Sequence, residues 1–438
     1  AFVGTSSAQV LSRRQSIMGL CASTADAAKS EMLKSKGGSV ILQRKVNGAE
    51  AELEVGKGDS IIIGPNSLDE WRPGQPIVRP APLVRSRPIE IDCGDRILVL
   101  TIGYQTLQGK NPQPPHKPNQ DSLIMHSEIG GRKDLGLLAV FDGHGPYGEH
   151  ASHFCRTQIG KAIETRPEFA DDPVLAFERC FPTMHESFVA SKTRESGVDP
   201  MVSGTTCTSI LVHGSTLHTA NVGDSRAVLA TVQNGQLTAV PLSDDHKPQR
   251  PDEIQRLQQS SAILLTEREV RGFGDENKVY VCREREGVVV YGILFTRSIG
   301  DEDAHDHLGI ISEPEMMRHE LEPGDRFVVL ASDGIWDHMS NQEVVEFVSR
   351  VGDPLAACNA LVETAKDLWD TEDLDRRRDD ITVVVAKFSW KAKVEAEAKA
   401  AVEESQATAA AEVELKTEDG GGLLKEGEGE EAEAETRV

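Results

Sequence analysis

Gly136-Leu137-Leu138-Ala139-Val140-Phe141-Asp142-Gly143-His144-Gly145 is an apolar run that stops on an acid and a glycine turn. Three other aspartates sit in similar places. They are Asp224 in Asn221-Val222-Gly223-Asp224-Ser225-Arg226, Asp333 in Ser332-Asp333-Gly334-Ile335-Trp336-Asp337, and Asp379 in Arg378-Asp379-Asp380-Ile381-Thr382. A carboxylate at the tip of a buried strand is costly unless its charge is compensated. Several of them gathered by one fold make an all-oxygen site for a hard cation. The pattern points to metal-assisted hydrolysis.

Composition narrows the classes. The chain has 438 residues, with 71 acidic against 47 basic residues and a formal net charge of -24. That balance argues against a basic nucleic-acid-binding face. It leaves an anionic substrate open, because bound divalent ions invert the local field. The cysteines at 21, 93, 155, 180, 207, 282 and 358 contain no C-x-x-C pair. Free thiols in a reducing compartment are expected, and no zinc site. No run reaches the roughly 18 apolar residues of a membrane span, so the expected location is cytoplasmic.

Four segments follow from the composition. Residues 1–24 are poor in acids and form a disordered, targeting or lipidation segment. Met18-Gly19-Leu20-Cys21-Ala22-Ser23 fits an acylation pattern, with Gly19 and Cys21 as the lipidated pair if Met18 initiates. Membrane attachment is expected only in that case; an organelle transit peptide is the rival reading. Residues 25–94 hold weakly alternating β segments and then a linker with Pro73, Pro76, Pro80, Pro82 and Pro88. Residues 95–390 are the dense catalytic part. Residues 391–438 are an Ala/Glu-rich tail with 14 acids and 6 bases, expected to be disordered.

Within 95–390, strands are predicted at Ile97–Thr101, Gly136–Phe141, Thr208–His213, Leu217–Val222, Ala227–Thr231, Arg326–Ala331 and Ile381–Phe388. Helices are predicted at Glu149–Thr165 and Pro354–Trp369. Gly223-Asp224-Ser225 reads as a tight hairpin turn joining two short strands. The fold class is therefore α+β, with antiparallel sheets and helices outside them.

Eight motifs then fall into a known order. They are Pro118-Asn119-Gln120-Asp121, Val140-Phe141-Asp142-Gly143-His144-Gly145, Ser203-Gly204-Thr205-Thr206, Ala220-Asn221-Val222-Gly223-Asp224-Ser225-Arg226-Ala227, Asp245-His246-Lys247-Pro248, Thr296-Arg297-Ser298-Ile299-Gly300-Asp301, Ser332-Asp333-Gly334-Ile335-Trp336-Asp337 and Asp379-Asp380-Ile381-Thr382. The chain resembles the metal-dependent protein serine/threonine phosphatases of type 2C. That resemblance implies a central sandwich of two antiparallel β-sheets flanked by helices. It implies two Mg²⁺ or Mn²⁺ ions at one end, a water bridging them as nucleophile, and phosphorylated proteins as substrates. No heptad or dimer signature is present, so a monomer is expected.

The resemblance assigns roles residue by residue. Asp142 bridges both ions, the Gly143 carbonyl joins it, and Asp333 and Asp379 complete the first ion's protein ligands. Asp121 orients a metal-bound water. Gln120 departs from the glutamate common in relatives. His144 is the proton donor to the leaving oxygen, with an ordinary pKa suited to that task. Asp337 and Asp199 match positions of a third, weaker metal. Asp224 and Asp301 read as structural, bonding backbone N–H groups. Lys110 is preferred for phosphate, with His116 and Lys117 as alternatives. Arg250, Arg256, Arg268, Arg271, Arg283 and Arg285 suggest a basic flap, or a solvated charged loop. A binding module on the same fold would be favoured by loss of Asp142, Asp333 or Asp379, and all three are present. A small-metabolite phosphatase is the third reading.

Overall fold

Successive residues of a strand point to opposite faces, and a strand buried on both faces reads as one apolar run. In the computed structural model, Leu138 and Val140 enter one core while Leu137, Ala139 and Phe141 enter another. The same division separates Leu330 and Val328 from Val329 and Ala331. The structure describes residues 34–36, 39–46, 49–55, 61–63, 88–111, 118–192, 198–272, 274–285, 288–372 and 377–393. The N-terminal targeting segment, the proline linker to residue 87, His116, Lys117 and the tail beyond 393 lie outside the described residues.

Two six-stranded sheets carry the fold. The first runs in the order Glu315–Glu320, Thr216–Val222, Cys207–His213, Leu135–Phe141, Ser122–Ser127, Ile61–Ile63, all antiparallel. The second runs Gln236–Pro241, Arg226–Gln233, Asp325–Ala331, Ile381–Ala392, Arg96–Leu107, Ile89–Asp92. Between them lies a core that includes Leu98, Leu100, Leu138, Val140, Ile210, Leu229, Leu330 and Val384. Helices Gly148–Glu164 and Pro173–Ala190 cover the first sheet through Phe154, Ile159, Phe177 and Phe181. Helices Asn341–Val351 and Pro354–Glu372 cover the second through Val344, Phe347, Cys358, Leu361 and Ala365. The α+β sandwich expected from the sequence is the fold observed.

The helix starts are chemically marked. Asp172 accepts the backbone N–H groups of Val174 and Leu175 ahead of Pro173. Ser340 and Glu343 form a reciprocal capping box. A smaller sheet of Ile263–Thr266, Val279–Arg285 and Val288–Ile293 forms the flap. Its underside is pinned by a core of Leu257, Val281, Ala304, Leu308 and Ile310. A separate unit, Glu31–Lys57, holds the antiparallel strands Lys34–Lys36, Ser39–Val46 and Ala49–Val55. Among the described residues no helix is long and apolar enough to cross a membrane. Cys93, Cys155, Cys180, Cys207, Cys282 and Cys358 are free thiols.

One expectation is corrected. Gly223-Asp224-Ser225 does not close a hairpin. Thr216–Val222 pairs with Cys207–His213 and Glu315–Glu320, whereas Arg226–Gln233 pairs with Gln236–Pro241 and Asp325–Ala331. The turn crosses from one sheet to the other. Each of the two strands is interior to its own sheet, with its backbone N–H and C=O groups paired along both edges, so neither edge is left for the other strand. Gly223, at φ 102°, permits the sharp crossing. The crossing carries Asp224 to the open end of the sandwich.

Leu330 is fully buried between the sheets. Leu330→Ala is expected to lower the unfolding free energy by about 2–5 kcal/mol. Urea denaturation monitored by circular dichroism checks this; a loss below about 1 kcal/mol would contradict the assigned core.

Candidate active site

Antiparallel pairing places the end of one strand beside the start of its neighbour. Ser122 pairs with Phe141, so Asp121 and Asp142 emerge at the same edge. Ala331 pairs with Val383, so Asp333 and Asp379 emerge together from the other sheet. The crossing turn adds Asp224. The four-aspartate pattern of the sequence is thus a consequence of sheet register, and it gathers at one end of the sandwich.

A cleft of about 1130 Å³ opens there, and its lining includes Asp142, Gly143, His144, Asp224, Asp333, Asp337 and Asp379. Asp121 lies behind it, almost fully buried, with Oδ2 accepting from Ser332 Oγ at 2.9 Å. Burial first, and then the neighbouring carboxylates, hold Asp142 and Asp333 well above the usual carboxylate range. The same causes push Asp121 up to about 7. Asp337 is open to the cleft yet ringed by protein, and enclosure raises its pKa against the opposing pull of Lys247 and Lys278. Negative charge at this end is under-compensated.

That observation tests whether a cation fits. Oδ1 of Asp121 and Oδ1 of Asp333 are buried with no hydrogen-bond partner. The side-chain donors are all carboxylate oxygens, the chemistry that Mg²⁺ and Mn²⁺ prefer. Among the described residues, no three Asp, Glu, His or Cys side chains are drawn into a finished shell. Mg²⁺ keeps several waters of its own, so a wall of this kind suits it better than a closed cage.

Framework residues hold the wall. Asp380, almost fully buried, accepts from Gly109 N at 2.6 Å and from Gln120 N at 2.7 Å. It ties the segments around residues 109 and 120 to the Asp379 loop. Sequence reading gave Asp380 no role; its only signal was the doubled acid. Thr206 brackets Asp142, accepting its N–H at 3.0 Å and donating to its carbonyl at 2.9 Å. Gly143 passes so close to Gln120 and Gly148 that a Cβ would collide with both carbonyl oxygens. The Gln120 amide donates to Gly145 O at 2.7 Å and to Glu149 Oε2 at 3.1 Å.

His144 stands at the edge of this wall. Its Nε2 lies 2.6 Å from Asp301 Oδ2, which also accepts from Ser298 Oγ at 2.7 Å. Burial alone would lower the His144 pKa; the Asp301 carboxylate overrides it and the pKa is raised. Burial would raise the Asp301 pKa, but His144, Ser298 and His305 together bring it below the usual value. Asp224 is ion-paired with Lys247. Burial would lower the Lys247 pKa, but Asp224, Asp337 and Asp333 hold the ammonium charged. Asp224 and Asp301, read from sequence as backbone-bonding residues, bind a lysine and a histidine.

Other expected residues lie elsewhere. Lys110 is not part of the cleft lining; its ammonium sits 2.6 Å from Asp370 and its backbone pairs with Arg378. Asp199 caps the turn Pro200–Val202 through Met201 N and pairs with Lys192 at 3.1 Å. Five of the flap arginines are paired with carboxylates of the flap or of neighbouring elements, and the Arg285 side chain lies outside the described residues. Arg250 pairs with Asp252 and Glu315, Arg256 with Glu253, Arg268 with Glu276, Arg271 with Glu267 and Arg283 with Asp303.

The two-sheet sandwich with helices outside thus carries an acidic cleft at one end. Comparison with known proteins identifies the family. The family model for Protein phosphatase 2C matches residues 114–371, ending just before Asp379. The chain is 34% identical over 291 residues to "Probable protein phosphatase 2C 35" of Arabidopsis thaliana, covering 64% of this chain and 81% of that one. It is 34% identical over 284 residues to "Probable protein phosphatase 2C 41" of the same plant, covering 62% and 78%. The solved serine-threonine phosphatase 2C of Toxoplasma gondii shares the fold, with a TM-score of 0.56 at 18% identity over 70% of this chain and 99% of that one. The chain belongs to the protein phosphatase 2C family and is a protein serine/threonine phosphatase.

The Asp301 contact makes a measurable prediction. Removing its charge by Asp301→Asn takes away the interaction that raises His144 above the ordinary histidine value. The His144 pKa, followed by its ring-proton NMR resonances, is expected to fall. An unchanged or raised value would contradict the pairing.

Proposed function

We propose that the cleft hydrolyses phosphoserine and phosphothreonine esters of protein substrates with the help of two divalent cations, Mg²⁺ or Mn²⁺. The observation that carries this reading is the convergence of Asp142, Asp333 and Asp379 on one under-compensated acidic wall. Asp142, the Gly143 carbonyl, Asp333 and Asp379 would hold the two ions, and Asp337 a third, weaker one. When bound, such ions polarise the phosphoryl oxygens and lower the pKa of a water that serves as nucleophile.

The chain's own residues then have distinct tasks. Asp121, fixed by Ser332, sets the charge and orientation of the wall behind Asp142. Thr206, bonded to the Asp142 N–H and C=O, and the close approach at Gly143 hold the backbone from which the Asp142 carboxylate and the Gly143 carbonyl project. His144 keeps a proton on Nε2 against Asp301 and delivers a proton to the leaving serine or threonine oxygen. An alkoxide is a poor leaving group, so this proton matters most for real phosphoproteins. Lys247 neutralises Asp224 and keeps the inner wall from being repelled apart.

Hydrolysis of a phosphothreonine peptide with Mn²⁺ tests the reading. Turnover is expected to stop with EDTA and to fall by about 10³-fold or more in Asp142→Ala and Asp333→Ala. His144→Ala is expected to lose about 10²-fold on the peptide and much less on p-nitrophenyl phosphate, whose leaving group needs no proton. A folded, metal-loaded wild type that turns over neither substrate would sink the proposal.

A further inference from the structure

Divalent ions bound at the acids would offset the floor of the cleft, which leaves open which side chain of the rim meets the incoming phosphate. A phosphoserine or phosphothreonine brings about -1.5 to -2 charge at neutral pH. It must enter a space walled by Asp142, Asp333, Asp337 and Asp379. Arg250, Arg256, Arg268, Arg271 and Arg283 are tied to flap and neighbouring carboxylates, and Lys247 is tied to Asp224. Arg378, also in the lining, donates to Asp370 and to Gln108 O.

Among the described basic side chains that line the cleft, Lys278 and Arg377 have no ion-pair partner. Arg377 is exposed on the rim. Lys278 is half-buried and set by its backbone. Its carbonyl accepts from Glu267 N at 2.7 Å and its N–H donates to Asp275 O at 3.4 Å. It immediately precedes strand Val279–Arg285, whose first residue pairs with Thr266. The helix that follows Thr266 is itself locked by a capping box with Glu269. This fixes the base of the Lys278 side chain on the flap side of the cleft. Its charge is felt at Asp337 on the opposing wall.

We propose that Lys278 is the flap cation that captures the substrate's phosphate, in place of Lys110, whose ammonium is paired with Asp370. The inference rests on the phosphatase reading of the same cleft and adds a positioning and specificity residue to it. A lysine suits the task because its ammonium is a compact point charge on a flexible stem. It can meet a phosphate ester without demanding one orientation. Lys278 thus contributes to binding more than to bond cleavage.

The test is steady-state kinetics on a phosphothreonine peptide with Mn²⁺, comparing wild type, Lys278→Met, Lys278→Arg and Arg377→Gln. Lys278→Met is expected to raise KM about tenfold with kcat changed little, the pattern of a lost binding contact to a charged group. The inhibition constant of inorganic phosphate is expected to rise by a similar factor. Lys278→Arg is expected to restore most of both, and thermal midpoints to stay together because the side chain is on the surface of the cleft. A Lys278→Met enzyme with wild-type KM and phosphate inhibition would overturn the inference. So would a KM increase found in Arg377→Gln and absent from Lys278→Met. In both cases wild-type turnover leaves the phosphatase reading standing; a wild type without turnover overturns that reading and this inference with it.

Discussion

Repulsion among carboxylates at one end of the sandwich is the constraint to which the surrounding structure answers. Asp121 and Asp142 arrive from one sheet, Asp333 and Asp379 from the other, and Asp224 from the turn between them. Burial and mutual proximity raise Asp142, Asp333 and Asp121 above the ordinary range. A site of this kind costs stability when it is empty of positive charge. The fold offsets that cost with rigid supports: Ser332 against Asp121, Asp380 across two loops, Thr206 on Asp142 and Lys247 on Asp224.

The two walls of the cleft are built differently. The sandwich wall is made of strand ends and is held by buried hydrogen bonds. The flap wall is a small sheet on its own core, with Arg268 and Arg283 held by nearby carboxylates. Register fixes the position of the acids to within a residue. Flap side chains are set by local turns and caps instead. Chemistry placed on the first wall and substrate capture on the second would let one vary without disturbing the other.

Much of this was legible in the sequence, for physical reasons. Strands buried on both faces are continuous apolar runs, so Leu135–Phe141, Cys207–His213 and Asp325–Ala331 stood out. Edge strands such as Glu315–Glu320 and Gln236–Pro241 are polar on their open side and gave no such signal. The acids were visible because each interrupts an apolar run. Their partners were not, because pairing depends on distant segments. Lys110 meets Asp370 across a chain separation that no local pattern encodes. Gly223–Ser225 has hairpin chemistry, yet the pairing of its flanking strands makes it a bridge between sheets. Asp301 reaches His144 over an interval of 157 residues. The resemblance to relatives gave the order of the motifs but not these contacts.

The central claim is that the acidic wall is held against its own repulsion so that it can take up divalent cations. Thermal unfolding of wild type and Asp333→Asn, each with EDTA and with Mn²⁺, tests it directly. Without metal, Asp333→Asn is expected to be the more stable protein, since one repelling charge is gone. Mn²⁺ is expected to raise the wild-type midpoint through binding to the folded state and to leave Asp333→Asn nearly unmoved. A wild-type midpoint indifferent to Mn²⁺, together with a metal-free Asp333→Asn protein less stable than wild type, would contradict the account.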